Sequence, residues 1–170
     1  MGNIAYYQQA FTIVLFSLLY TFGHAQLDSS SELYQTIKEV DSILFVEGFN
    51  QCKLKEMEPY IAVDLEFYHD KSGLSTSKEA FFEAIKQNIC GNGVKKPIRK
   101  LVAGSMEVFP LYQNDVLYGA IQHGVHEFYI KEADKDIYIT GIAKFSHVFT
   151  LQNGVWQLKR VLSYDHQAKE

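Results

Sequence analysis

After Ile98 the hydrophobic pattern drops the helical spacing and alternates residue by residue, almost to the C-terminus. Alternation sends successive side chains to opposite faces, so a stretch of this kind reads as strand. Four long strands fit: Ile98–Phe109, Val116–Ile130, Ile137–Leu151 and Val155–Tyr164. Asn153-Gly154 between the last two is the strongest hairpin signal in the chain. Asn114-Asp115 and the polar run Glu132–Asp136 mark the other two turns. Strands of about 14 residues exceed the usual length and have to twist and bend.

Upstream the period is helical. Ser29-Ser30-Ser31-Glu32 reads as a capping box. Leu33, Ile37, Val40 and Leu44 then form one face of a helix ending near Asn50. A short helical turn around Leu54 and Met57 is stopped by Pro59. Leu65–Asp70 alternates as a strand and Lys71-Ser72-Gly73 turns the chain. Thr76-Ser77-Lys78-Glu79 is a second capping box, opening a helix with Phe81, Phe82, Ile85 and Ile89 on one face and Gly91 as its cap.

Helices early and strands late predict an α+β fold, with the helices gathered on the concave face of a strongly curved antiparallel sheet. A bent sheet roofed by helices leaves a cone-shaped pocket, which is a default ligand site. The length of 170 residues suits one domain.

The first 25 residues differ from the rest. Ala10–Phe22 is mostly apolar, and Gly23-His24-Ala25 puts small residues where a signal peptidase reads. We expect residues 1–25 to be a signal peptide, cleaved after Ala25 or one residue later, and 26–170 to be an exported domain, periplasmic or secreted. The apolar run is short for a membrane span, so an uncleaved anchor is the lesser alternative. Cys52 and Cys90 are expected to pair in such a compartment. Closing that loop of 38 residues stabilises by roughly 4 kcal/mol on chain-entropy arithmetic. The net charge of −4 and the absence of a basic run remove the electrostatic footprint of a nucleic-acid binder. Lys95–Lys100, the densest basic stretch, reads as a solvated turn entering a strand.

The order of elements, the segment Leu65-Glu66-Phe67-Tyr68-His69-Asp70 with Gly73, and the closing run Ala143–Phe149 followed by Asn153-Gly154-Val155-Trp156 resemble the nuclear transport factor 2-like superfamily. The SnoaL-like and domain-of-unknown-function 4440 branches are the most similar. The resemblance spans about Glu32 to His166. It implies the cone-shaped fold and, for many members, a homodimer through the outer sheet face. The superfamily holds isomerases, dehydratases and cyclases beside non-catalytic association domains, so the fold does not choose a function.

His69 ends the first strand, roughly where isomerases of that superfamily carry a general-base Asp. It shares parity with Leu65 and Phe67. Apolar neighbours can tune an imidazole for proton transfer, so His69 is the first catalytic candidate, beside the reading of a structural strand-end His. Asp41, next to Tyr34 at the edge of the first helix's apolar stripe, can orient a His or Lys at the cavity mouth, or can simply be solvated. Glu47 falls inside that stripe and weakens the case for either acid alone. His123 and His126 point to opposite faces, so they cannot chelate together. His126, sharing a face with Gln122, Gly124 and Phe128, is the better pocket candidate.

His147 shares a face with Phe145, and Tyr164 and His166 share one with Trp156 and Leu158. Parity alone does not say which face is inside. Neither a helical His pair nor a Cys/His cluster has metal spacing, and no cofactor is expected. The expected partner is a small apolar or aromatic ligand. It would be held with or without chemistry, and the enzymatic version uses His69 as base with His126 or Tyr164 as donor to an oxyanion.

Overall fold

A computed structural model describes residues 26–91 and 93–169. The expected signal peptide lies outside the described residues. No described helix is long and apolar enough to cross a membrane.

The first helix, α1 (Glu32–Asp41), is capped by Ser31, whose hydroxyl accepts the Tyr34 N–H. The N-cap is therefore two residues later than a box starting at Ser29, and Glu32 lies in the first turn. Beyond Asp41 the helix widens into a π-helical stretch, Ser42–Asn50. Wide turns carry more residues than 3.6, so counting 100° per residue loses phase there. A short α2 (Leu54–Met57) and a 3₁₀ turn with Pro59 lead into β1 (Ile61–His69). After β2 (Gly73–Ser75), α3 (Lys78–Ala84) is capped by Ser77, one residue later than expected, and it too ends in a π-helical stretch, Ile85–Cys90. Gly91 follows with φ −79°, so it ends the helix without a left-handed turn.

The remaining strands are β3 (Lys95–Leu101), β4 (Glu107–Gln113), β5 (Val116–Glu132), β6 (Tyr138–Gln152) and β7 (Val155–Ala168). The single strand expected over Ile98–Phe109 is thus two. Gly104 turns left-handed at φ +76° between them, and both pair with the same edge of β5. Ser105 bridges the break, its hydroxyl accepting the Val125 N–H at 3.0 Å and lying 2.8 Å from the Val102 carbonyl. The β4–β5 and β6–β7 hairpins turn on residue pairs with positive φ, Asn114-Asp115 and Asn153-Gly154, as two-residue hairpin turns require.

The sheet runs β2-β1-β7-β6-β5-β3, with β4 also on β5. Every pair is antiparallel except β1–β7, which is parallel because β1 enters from the helical half of the chain. The sheet is mixed and does not close into a barrel. Its inner face supplies Ala120, Phe149, Leu158 and Val161, which pack with Ile37, Leu44, Phe81 and Ile85 from the helices. Gly124 lets the bend form: a Cβ there would lie 2.6 Å from the Phe145 ring, which crosses over it from β6.

Candidate functional site

The helices do not fill the sheet's hollow. Between the π-helical ends of α1 and α3 and the inner sheet face lies a cavity of about 330 Å³, at the small end of ligand pockets. Phe45 and Phe49 come from the first π stretch, Phe67 from β1, Phe81 from α3 and Phe128 from β5. Polar groups are few: His69 and Ser72 at one side, Asn88 from the second π stretch, Arg99 and His126 within, His147 and Ser163 on the inner strands.

Arg99 organises this floor. Its side chain is 3% exposed and makes a two-pronged pair with Asp41, at 3.1 and 3.2 Å. Its guanidinium lies 3.8 Å from the Phe45 ring centroid and 5.0 Å from that of Phe145. Its Nε donates to His126 Nδ1 at 3.1 Å. From Asp41 the network continues: Gln122 Nε2 donates to the carboxylate at 3.1 Å, and Gln122 Oε1 meets His147 Nδ1 at 2.8 Å. Asn50 pins the backbone of β3 at Arg99 from the edge, accepting its N–H and donating to its carbonyl, both at 2.8 Å. A buried cation and anion of this kind persist only when paired and hydrogen-bonded on all sides.

The hydrogen bonds assign the imidazole protons. A guanidinium can only donate, so His126 Nδ1 is an acceptor and its hydrogen sits on Nε2. A carboxylate can only accept, so Gln122 presents NH₂ to Asp41 and its oxygen to His147, whose Nδ1 therefore carries the hydrogen. His69 Nδ1 accepts the backbone N–H of Lys71 at 3.1 Å and of Ser72 at 3.2 Å, which leaves the hydrogen on its Nε2. Burial, and then the Arg99 charge, push His126 down to about 3. Burial, Arg99 and His126 hold His147 well below the usual imidazole range. His69 is lowered as well, by burial and by His166, with Asp70 acting in the opposite direction.

These shifts have a sign. An imidazole that stays neutral when folded but titrates near 6.5 when unfolded makes the unfolded state bind more protons below that pH. Stability is therefore whole above about pH 6.5 and falls as acid is added, down towards pH 3, where His126 charges. By pH 5 the loss should be about 2 kcal/mol per buried imidazole. Urea unfolding at pH 7 and pH 5 reads it, and equal stabilities at the two would contradict neutral burial of His126 and His147.

The candidates of the sequence divide. Phe67, His69, His126 and His147 line the cavity. Asp41, Gln122 and Phe145 are buried in its floor, where Asp41 is a paired anion rather than a solvated stripe edge. Tyr34 and Trp156 are half-buried against the core away from the cavity. Glu47 pairs with Lys53 beside Gln51, and His123 lies on the other sheet face against Ser146 and Phe109.

Tyr164 points outward, 39% exposed, so it cannot be an oxyanion donor in the cavity. The register slips between Leu158 and Arg160, which moves Val161 and Ser163 inside and Tyr164 outside. A second slip with Asp165 at φ +59° turns His166 inward, behind His69. The general-base role expected of His69 does not suit its bonding, because its lone pair is taken by two backbone N–H groups. Arg99, read in the sequence as part of a solvated turn, is the residue the reading missed. Its parity with Pro97 and Leu101 was the available signal.

His69 stacks on His166 with centroids 4.3 Å apart, and His166 Nδ1 meets Asp70 Oδ1 at 2.6 Å. These three residues bring ligand-type atoms within 4.8 Å of one another. The two rings lie 19° from parallel, so their in-plane lone pairs run side by side instead of converging on one ion. The group reads as a hydrogen-bonded stack at the cavity mouth.

No family model matches the sequence, and no curated protein matches it. Solved structures do. ActVI-ORFA from Streptomyces coelicolor superposes with a TM-score of 0.65 at 11% identity, over 81% of this chain and 98% of that one. The hexachlorocyclohexane dehydrochlorinase LinA-type3 from Novosphingobium barchaimii LL02 gives 0.60 at 10% identity, over 79% and 88%. A nuclear transport factor 2-like superfamily protein from Salmonella enterica gives 0.59 at 16% identity, over 80% and 90%. The chain has the nuclear transport factor 2-like fold, and at these identities the likeness carries the fold alone.

Proposed function

We propose that this chain is an exported binding protein for a small, apolar or aromatic molecule held in the cavity. The observation that carries the reading is a hollow walled mainly by aromatic rings, over a floor whose only charges neutralise each other. The Cys52–Cys90 disulfide supports export, since such bonds persist in oxidising compartments. The catalytic alternative would need a base in the cavity. His69 offers an N–H there, and His147, whose Nε2 keeps its lone pair, is held too low in pKa to take a proton readily near neutral pH. Binding without chemistry is therefore favoured.

Native mass spectrometry of the freshly purified protein should reveal a retained small molecule, and added naphthalene should raise the melting temperature saturably. Val161→Phe, which adds a ring to a buried wall of the cavity, should abolish the naphthalene response while the protein still melts cooperatively. No retained mass together with no saturable shift in the unsubstituted protein would reject the reading.

A further inference from the structure

Ser163, His166 and Asp70 stand in a row at the cavity mouth. Ser163 pairs in register with His69 across the parallel β1–β7 ladder, and the Asp70 N–H donates to the Ser163 carbonyl at 3.2 Å. His166 lies three residues beyond Ser163, a spacing that in an unbroken strand puts two side chains on opposite faces. The slip at Asp165, with φ +59°, returns His166 to the side of Ser163. Asp70 then fastens it twice. One carboxylate oxygen accepts the His166 backbone N–H at 3.1 Å, and the other meets Nδ1 at 2.6 Å. The ring is held between those of His69, at 4.3 Å, and Phe128, at 5.8 Å. Its remaining nitrogen, Nε2, lies 3.3 Å from Ser163 Oγ.

The partners decide where the protons are. A carboxylate only accepts, so the Nδ1 hydrogen of His166 points at Asp70 and Nε2 keeps its lone pair. The Ser163 hydroxyl therefore donates to Nε2. Carboxylate, imidazole and hydroxyl, each orienting the next, is the order that activates a serine. The contact of 3.3 Å is loose, as such contacts are before a substrate tightens them. Ser163 lines the cavity and His166 does not. His166 is thus no base for the ligand itself; its partner is the protein's own hydroxyl. His69, in the same lining, keeps its N–H on Nε2 and can meet negative charge developing on a carbonyl oxygen. The outer sheet face carries an internal comparison. There His123 Nδ1 meets Ser146 Oγ at 2.7 Å, and no hydrogen bond joins that imidazole to a carboxylate among the described residues.

Going beyond binding, but resting on the open apolar cavity read above, we propose that Ser163 is a nucleophile toward small uncharged esters, with His166 as its base and Asp70 positioning His166. Ser163 Oγ bonds to the ester carbonyl carbon while its proton passes to His166 Nε2. Nε2 returns that proton to the leaving alcohol oxygen as the carbon–oxygen bond breaks. Water, giving a proton to Nε2, then releases the carboxylic acid and restores the hydroxyl.

The test treats the intact folded chain near neutral pH with two probes. Phenylmethanesulfonyl fluoride should sulfonylate Ser163 with loss of fluoride, read by peptide mass spectrometry, and should leave Ser146 unmodified. 4-Nitrophenyl acetate should be hydrolysed faster than by Ser163→Ala. Asp70→Asn and His166→Gln should each slow both reactions by at least about a hundredfold, the loss falling on kcat, while naphthalene still raises their melting temperatures. Asp70→Glu should regain part of what Asp70→Asn loses, a rescue that a merely structural carboxylate would not give. His123→Gln should change neither reaction. Should Asp70→Asn or His166→Gln fail to fold, Ser163→Ala, which removes a single oxygen, still decides the ester arm. Equal labelling of Ser163 with and without Asp70 and His166, or no labelling together with no turnover above the Ser163→Ala protein, would overturn the proposal. A naphthalene response kept in that case would leave the binding reading standing, and its loss as well would remove both.

Discussion

Replacing Arg99 by Met should destabilise the domain by about 3–5 kcal/mol, the cost of leaving a buried charge without its partner. The Asp41 carboxylate would keep only the Gln122 amide, in a position 4% exposed. A domain whose whole stability is about 5–15 kcal/mol comes close to unfolding under such a loss. Asp41→Leu alone should cost a similar amount, because it strands the guanidinium between Phe45 and Phe145. The two changes together should cost far less than their sum, since no uncompensated charge then remains. Urea denaturation of the four proteins completes the cycle. Additive losses would mean that the pair is not coupled, and the electrostatic account of the cavity floor would fall. The pair does more than hold α1 to β3. It gives His126 a fixed donor on one side and so fixes which of its nitrogens carries the hydrogen.

That arrangement was half legible in the sequence. Parity placed His126 with Gln122 and Gly124 on β5, and His147 with Phe145 on β6, and each group shares a face as expected. The hairpins and helices were legible too, because each rests on local rules: a Ser hydroxyl at a helix start, or an Asn-Gly pair that tolerates positive φ. What failed was non-local or cumulative. A register slip inverts the face of every residue after it, so parity counted from Trp156 grouped Tyr164 with Leu158, whose face is the buried one. The two slips in β7 instead put Ser163 and His166 there. The π-helical turns re-phase the chain beyond α1, the stretch that brings Phe45 and Phe49 to the cavity. The parallel pairing of β1 with β7 joins segments from opposite ends of the chain, and no local signal encodes it. Arg99 hid among Lys95, Lys96 and Lys100, although its neighbours at two-residue spacing are Pro97 and Leu101.

Breaking the link between Cys52 and Cys90 should cost about 4 kcal/mol and loosen the cavity at the same time. The bond joins the far ends of the two π-helical stretches across 38 residues of sequence. Lys96 on β3 sits at the same place, donating to the carbonyls of Phe49 and Ile89 at 3.0 and 3.2 Å and lying 3.0 Å from Cys52 Sγ. Burial lowers its pKa, as expected for an ammonium held under two helix ends. Phe49 and Ile89 both line the cavity, so the cross-link and the lysine together fix one rim of it. Cys52 also sits at φ +60°, a left-handed conformation at the helix end that glycine adopts without penalty and other residues do not.

In the Cys52→Ser/Cys90→Ser protein that penalty stays while the cross-link is gone, so its melting temperature should fall by about 10 °C. Cys52→Gly/Cys90→Ser removes the penalty too and should recover roughly 1 kcal/mol of the loss. Reduction of the unsubstituted protein should lower its stability as the Ser pair does, and should weaken naphthalene binding in parallel, because the rim then loses its covalent tie and keeps only hydrogen bonds such as those of Lys96 and Asn50. Stability unchanged by reduction would show that the helix ends are fixed without the bond. Stability lost with binding intact would detach the clamp from the cavity.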